Sequence, residues 1–200
     1  MITYHKIQTK EDVMKKVLLI LTLPICLVLA QDQPELPGWG VYVGAGSYSA
    51  SIEGVDADSV KRATLFPSIG VTKGVMVGGL PLIVGAGYHQ RGYVGESFFG
   101  ETTMSYNTLD LWATVPYPVG PVALSAGFIV GTFLNGKLDL DGAEIDLEDD
   151  MLPDGLDYGL ILGLGYPAGP VNLNLGYALG LADHDGGSFN GLLLNVGYDF

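Results

Sequence analysis

From Val171 to Leu181 the chain alternates without a break, with Val171, Leu173, Leu175, Tyr177, Leu179 and Leu181 on one side and Asn172, Asn174, Gly176, Ala178 and Gly180 on the other. A period of two marks a strand whose two faces meet different surroundings. The C-terminal stretch repeats the pattern, since Leu192, Leu194, Val196, Tyr198 and Phe200 interleave with Leu193, Asn195, Gly197 and Asp199. Upstream, Tyr158, Leu160, Leu162, Leu164 and Tyr166 oppose Gly159, Gly163 and Gly165. In a soluble barrel the bulky residues would fill the inside. Here the complementary faces hold so much glycine and amide that the bulky residues are expected to point outward, toward lipid.

The N-terminus supplies a compartment. Met14-Lys15-Lys16 is a short positive region, residues 17–29 are apolar, and Val28-Leu29-Ala30 suits a signal peptidase. The expected organisation is a signal peptide at 1–30, a short segment at 31–37 and an outer-membrane barrel domain at 38–200. Lys6, Lys10, Glu11 and Asp12 make residues 1–13 a poor leader, which points to Met14 as the true start. A spanning helix fits less well, because the apolar run is short and contains Pro24. Cys26 follows Ile25 rather than a small residue, which argues against a lipoprotein anchor.

Beyond Ala30 there is no cysteine, so neither disulfides nor thiol chemistry are available. The sequence holds 9 basic and 22 acidic side chains; residues 1–30 account for 4 and 2 of them, which leaves 5 and 20 and a net charge of −15. That balance excludes a nucleic-acid partner, which would reward clustered Lys and Arg.

No apolar stretch after Ala30 reaches helix-spanning length, so only a closed barrel could carry this chain through a bilayer. The alternation predicts eight strands, at about 39–50, 64–77, 82–94, 103–117, 122–134, 156–166, 171–181 and 189–200. The connections agree with the count. Tyr117-Pro118-Val119-Gly120-Pro121-Val122 and Tyr166-Pro167-Ala168-Gly169-Pro170-Val171 are near copies, and Val77-Gly78-Gly79-Leu80-Pro81-Leu82 is a looser third. Such Pro and Gly pairs make tight reversals. The other connections, at 51–63, 95–102, 135–155 and 182–188, are longer and polar. Short turns on one rim and long loops on the other are expected of a barrel with a periplasmic and an external end.

On this reading Trp39, Val41, Val43, Leu65, Ile69, Val71, Leu109, Leu111, Leu124 and Phe128 face outward. Tyr42, Phe66, Ser68, His89, Arg91, Thr108, Asp110, Trp112 and Thr114 face inward. Pro67 and Pro116 each require a strand end or a bulge, because proline cannot donate to a ladder.

Several motifs in order resemble a known group. They are Tyr88-His89-Gln90-Arg91-Gly92, Leu109-Asp110-Leu111, Asp157-Tyr158-Gly159-Leu160 running to Gly163-Leu164-Gly165, Tyr177-Ala178-Leu179-Gly180-Leu181 and Gly197-Tyr198-Asp199-Phe200. Together they resemble the small outer-membrane β-barrel domain family, PorT-like and similar to the eight-stranded OmpX and opacity type. Trp112 departs from the pattern, where that family commonly has a proline. The resemblance implies an outer-membrane location and no enzymatic activity. It also implies that the terminal aromatic, here Phe200 supported by Tyr198, is a signal to the barrel-assembly machinery.

The expected fold class is therefore all-β, an eight-stranded antiparallel up-and-down transmembrane β-barrel with no open pore. His89, Arg91, Asp110 and Asp157 form the candidate lumen polar cluster, with Arg91 and Asp110 placed to meet as an ion pair. An eight-stranded barrel is just wide enough for side chains to fill, so packing outweighs a transport path. No catalytic, metal or cofactor-binding residue is assigned. There is no G-x-S-x-G elbow; a lipid-modifying enzyme using His184 with Ser188 or Ser97 is a lesser alternative. Asp139, Asp141, Glu144, Asp146, Glu148, Asp149 and Asp150 crowd one loop but lack EF-hand spacing, and alternating Leu138, Leu140, Ile145 and Leu147 suggests strands continuing above the membrane. Expected partners are outer-membrane lipid, the assembly machinery and an extracellular or secretion-machinery protein, with the chain itself a monomer. The runner-up is a secreted soluble barrel binding an apolar ligand, which needs the leucine and valine faces turned inward.

Overall fold

The computed structural model describes residues 36–54, 59–97, 100–140, 142–184 and 187–200. The expected leader at 1–30, residues 31–35 of the short segment, Phe98 and Asp141 lie outside the described residues. Nine strands follow in chain order: β1 (Trp39–Ile52), β2 (Val60–Val77), β3 (Leu80–Ser97), β4 (Gly100–Val119), β5 (Val122–Leu140), β6 (Ala143–Asp146), β7 (Leu156–Ala168), β8 (Val171–Gly180) and β9 (Gly187–Asp199). All pairings are antiparallel, and β1 pairs with β9 from Gly40 opposite Asp199 to Ile52 opposite Gly187. That ladder closes a ring of eight, β1-β2-β3-β4-β5-β7-β8-β9. β6 stands outside the ring, adding to the far end of β5 with Leu138 opposite Ile145. The architecture is the up-and-down barrel that the alternation predicts.

Three tight turns share one end, at residues 77–80, 119–122 and 168–171. Gly78 and Gly79 both have positive φ, +58° and +84°, as a type I′ turn requires. Gly120 (φ +60°) and Gly169 (φ +67°) instead precede Pro121 and Pro170, whose rings fix φ negative, the sequence of a type II′ turn. Primed turns match strand twist, so all three hairpins continue into regular ladders.

At the other end the strands run further than the predicted bounds, as alternating Leu138, Leu140, Ile145 and Leu147 suggests for β5 and β6. The connection expected at 95–102 is largely ladder, with Ser97 opposite Gly100, and that expected at 135–155 contains the end of β5 and all of β6. Over 95–102 no apolar alternation marks the strand. The Lys61–Glu101 and Lys137–Glu144 ion pairs accompany the backbone ladders at this end.

The face assignment follows from exposure. Trp39, Val41, Val43, Ile69, Val71, Leu109, Leu111, Leu124 and Phe128 are exposed on the outer wall, as are Leu162, Leu164, Leu173, Leu175, Leu192, Leu194 and Val196. Tyr48, Ser68, His89, Arg91, Thr108, Asp110, Thr114 and Asp157 are buried inside. Phe66 is a correction: expected in the lumen, it is 67% exposed. The cause is a break in register. The β2–β3 ladder is interrupted between Arg62 and Ile69, and the β1–β2 ladder shifts between Gly44 and Gly46. A one-residue shift exchanges the faces, so Ala63 and Ser68, five apart, are both buried. Pro67, in a cis Phe66-Pro67 bond, falls inside this interruption, where no ladder hydrogen bond is lost. Pro116 pairs with Ser125 on β5 but lies beyond Thr114, where the β3–β4 ladder ends.

The glycines inside the wall permit strong curvature. A Cβ on Gly127 would overlap the Ala113 carbonyl of β4, and one on Gly159 the Leu179 carbonyl of β8. Gly127→Val should therefore strain the β4–β5 ladder and lower stability by about 1–3 kcal/mol, read as a reduced urea midpoint in detergent micelles, whereas Val130→Ala on the exposed face should shift it less.

Candidate functional site

Alternation on β3 sends His89 and Arg91 to the same inner face, two residues apart. β4 presents Asp110 opposite Gly87, and β7 presents Asp157 opposite Gly131. The lumen is narrow enough for these to meet. His89 Nδ1 donates to Asp110 Oδ2 at 2.6 Å, and the Tyr42 hydroxyl donates to His89 Nε2 at 2.8 Å. The tautomer follows from the partners, because a carboxylate only accepts. Arg91 Nη2 donates to the same Asp110 oxygen at 2.8 Å, while Arg91 Nη1 pairs with Asp157 Oδ2. Asp157 Oδ1 lies 3.2 Å from His184 Nε2, and His184 Nδ1 lies 3.2 Å from the Asp154 carbonyl.

The four residues predicted for the lumen cluster are thus contiguous, and Arg91 ties β3 and β4 to β7 across the interior. Asp110 is fully buried and Arg91 nearly so. A buried charge is tolerable only when paired, so the network fixes how the opposite walls stand to one another. Small residues make the room: a Cβ on Gly131 would overlap the Asp110 carboxylate, and one on Gly85 the Trp112 ring. Thr108 braces the group by donating its hydroxyl to the His89 carbonyl at 3.3 Å.

Aromatic side chains close the lumen toward the long-loop end. Tyr106, Phe133 and Phe189 have ring centroids 5.6–6.0 Å apart, and His184 packs 5.2 Å from Phe133. Toward the short turns the lumen becomes an amide ladder. Asn174 Nδ2 donates to Asn172 Oδ1 at 2.6 Å, and Asn172 Nδ2 donates to Asp199 Oδ2 at 3.0 Å. Tyr42, Thr108 and His184 extend the predicted cluster. The first two lie on faces that alternation marks as inward; His184 sits in a connection, where no periodicity identifies it.

His184 bears on the lipid-modifying alternative. Both its ring nitrogens face acceptors, and the ring lies against Phe133 and Phe189. Among the described contacts, none joins His184 to Ser188. The soluble alternative needs apolar faces inside, yet most of the strand leucines and valines are exposed on the outer wall, with Leu193 an inward exception beside Tyr48.

Tyr198 and Phe200 are exposed on the outer wall at the short-turn end, and the Phe200 N–H donates to the Trp39 carbonyl at 2.8 Å. At the opposite end the acidic loop is partly ordered by β6. Lys137 Nζ donates to Glu144 Oε2 at 2.8 Å, and the Gly142 N–H donates to Asp139 Oδ1 at 2.8 Å. Among the described residues no three His, Cys, Asp or Glu side chains converge as metal ligands.

The Lys137 ammonium holds the Glu144 carboxyl below the ordinary carboxylate range, first through their hydrogen bond and then through charge, and Glu144 raises Lys137 in return. The pair's contribution is therefore present between the two titrations. It is lost as pH falls through the lowered Glu144 value or rises through the raised Lys137 value. Amide-exchange protection of β6 should fall at the acidic limit, and Glu144→Gln should remove that pH dependence. In the lumen, Arg91→Ala leaves Asp110 and Asp157 buried without their cation, and should cost about 3–5 kcal/mol in urea unfolding.

No protein-family model matches the chain, and no curated protein does. Solved structures do. Neisserial surface protein A (NspA), 17% identical, matches with a TM-score of 0.55 over 84% of this chain and all of its own. Ail, the attachment invasion locus protein of Yersinia pestis, is 15% identical with a TM-score of 0.45, covering 82% of this chain and 99% of that one. The N-terminal barrel domain of Pseudomonas aeruginosa OprF is 12% identical with a TM-score of 0.38, covering 83% of this chain and all of that domain. The narrower PorT-like resemblance rests on the sequence motifs alone. The fold is that of an eight-stranded antiparallel barrel like the one of Neisserial surface protein A.

Proposed function

We propose that this chain is a non-enzymatic protein of the bacterial outer membrane, a barrel without an open pore that acts through its acidic external loops. One observation carries the reading: the outer wall is apolar around the ring while the charges inside are paired and capped. Such a cylinder suits a hydrocarbon surrounding, where a charge facing lipid at the midplane would cost about 2–4 kcal/mol. The filled lumen suits a scaffold rather than a channel.

Export through the Sec pathway with removal of residues 1–30 fits the leader pattern, and Tyr198 with Phe200 stands exposed where an assembly machinery could read it. The protein works as a monomer in outer-membrane lipid. Its loop partner is an extracellular or secretion-machinery protein, and the acidity of that end favours a basic surface.

Purified from membranes in detergent, the chain should migrate differently on gels before and after boiling, and it should precipitate without detergent. In planar bilayers it should give no steady conductance. A monodisperse, heat-insensitive protein in plain buffer would refute the membrane reading, and stable channels would refute the closed lumen. Leu175→Arg on the outer wall should lower the unfolding free energy in phospholipid vesicles by about 2–4 kcal/mol.

A further inference from the structure

The cations described in the barrel are partnered. Lys61 pairs with Glu101, Lys137 with Glu144, Arg91 with Asp110 and Asp157, and Arg62 donates to the Ser47 carbonyl. Lys73 has an aromatic partner: its Nζ lies 5.2 Å from the centre of the Trp39 ring. Lys73 and Trp39 are direct partners across the β1–β2 ladder, and Trp39 is in turn bonded to the C-terminal residue through the Phe200 N–H. Lys73 follows Ile69 and Val71 on the outward face of β2, so Lys73 on β2, Trp39 on β1 and Phe200, one residue past β9, lie side by side on the outer wall.

This patch is at the short-turn end. Its chemistry is that of a lipid headgroup site: amphipathic and aromatic rings that settle at the edge of the hydrocarbon, beside an ammonium on a flexible stem that reaches a phosphate. Charge complementarity selects the occupant. With the region after Ala30 at −15, an anionic lipid is repelled by the molecule in general and attracted at this point.

We infer that Lys73 and Trp39 form a contact site for the phosphate of an anionic phospholipid in the leaflet at the short-turn end. The inference rests on the membrane reading above. A lysine at an anionic membrane surface gives roughly a five-fold preference over a neutral lipid.

Trp39 supplies the readout, since the chain has two tryptophans and the other, Trp112, is inside the barrel. The protein purified from membranes is reconstituted into vesicles of equal phosphatidylglycerol and phosphatidylcholine, with one or the other lipid brominated. The Trp112 signal is measured on the Trp39→Phe chain and subtracted. Brominated phosphatidylglycerol should quench Trp39 with an apparent local excess of about five-fold. The excess should vanish in Lys73→Gln, persist in Lys73→Arg, and shrink in 1 M salt, which screens a headgroup ion pair. Equal quenching by the two lipids in the unaltered chain, or an excess that survives Lys73→Gln, overturns the site while leaving the barrel in the bilayer. Absence of quenching by either lipid instead overturns the membrane reading on which the site rests. Should Lys73→Gln lose its heat-modifiable mobility, the salt titration of the unaltered chain decides, and a salt-independent excess counts against the site.

Discussion

A guanidinium held at the centre of a narrow cylinder needs carboxylates from more than one wall. Arg91 takes them from β4 and β7, strands that do not touch each other in the ring because β5 lies between them. The ion pairs therefore fix a cross-lumen distance that the ladders alone leave free. Hydrogen bonds between strands set local spacing and twist, whereas Asp110, Arg91 and Asp157 set how far the cylinder is flattened or opened. His89 and Tyr42 extend the constraint toward the short turns, and His184 extends it into the connection between β8 and β9.

The glycine content of the inner faces follows from the same crowding. Eight strands enclose room for side chains from some positions only, and where a large group crosses, its neighbours must lack a Cβ. Gly131 faces the Asp110 carboxylate, Gly85 lies under Trp112, and Gly46 and Gly191 lie against the Tyr48 ring. Glycine otherwise weakens a strand. Here the lost propensity is offset by closure, since a ring has no frayed edge.

How much of this was legible in the sequence depends on whether a face touched something distinctive. Strands such as 171–181 and 189–200 could be read almost residue by residue because one face is leucine and the other is glycine or amide. The proline and glycine pairs gave the three tight turns by the same directness of cause. Legibility failed at Phe66, because Pro67 marks a break but which face each flanking residue then takes depends on the strands together. It failed also at 95–102, where no apolar alternation marks the ladder, whereas Leu138, Leu140, Ile145 and Leu147 marked the extension of β5 and β6. In the candidate site, the inward phase of β3 and β4 marked His89, Arg91 and Asp110. His184 was not marked, because its place depends on how one connection folds back over the lumen.

Strand length varies around the ring. β8 has 10 residues, close to the minimum that crosses a hydrocarbon layer, whereas β4 has 20. At about 3.3 Å per residue the second is longer by roughly 33 Å before tilt is considered. The rim is consequently lopsided, like the cut end of a quill. His184 sits at its low side, so an approaching molecule meets the longer strands β2 to β5 before it can reach the lip above the barrel interior.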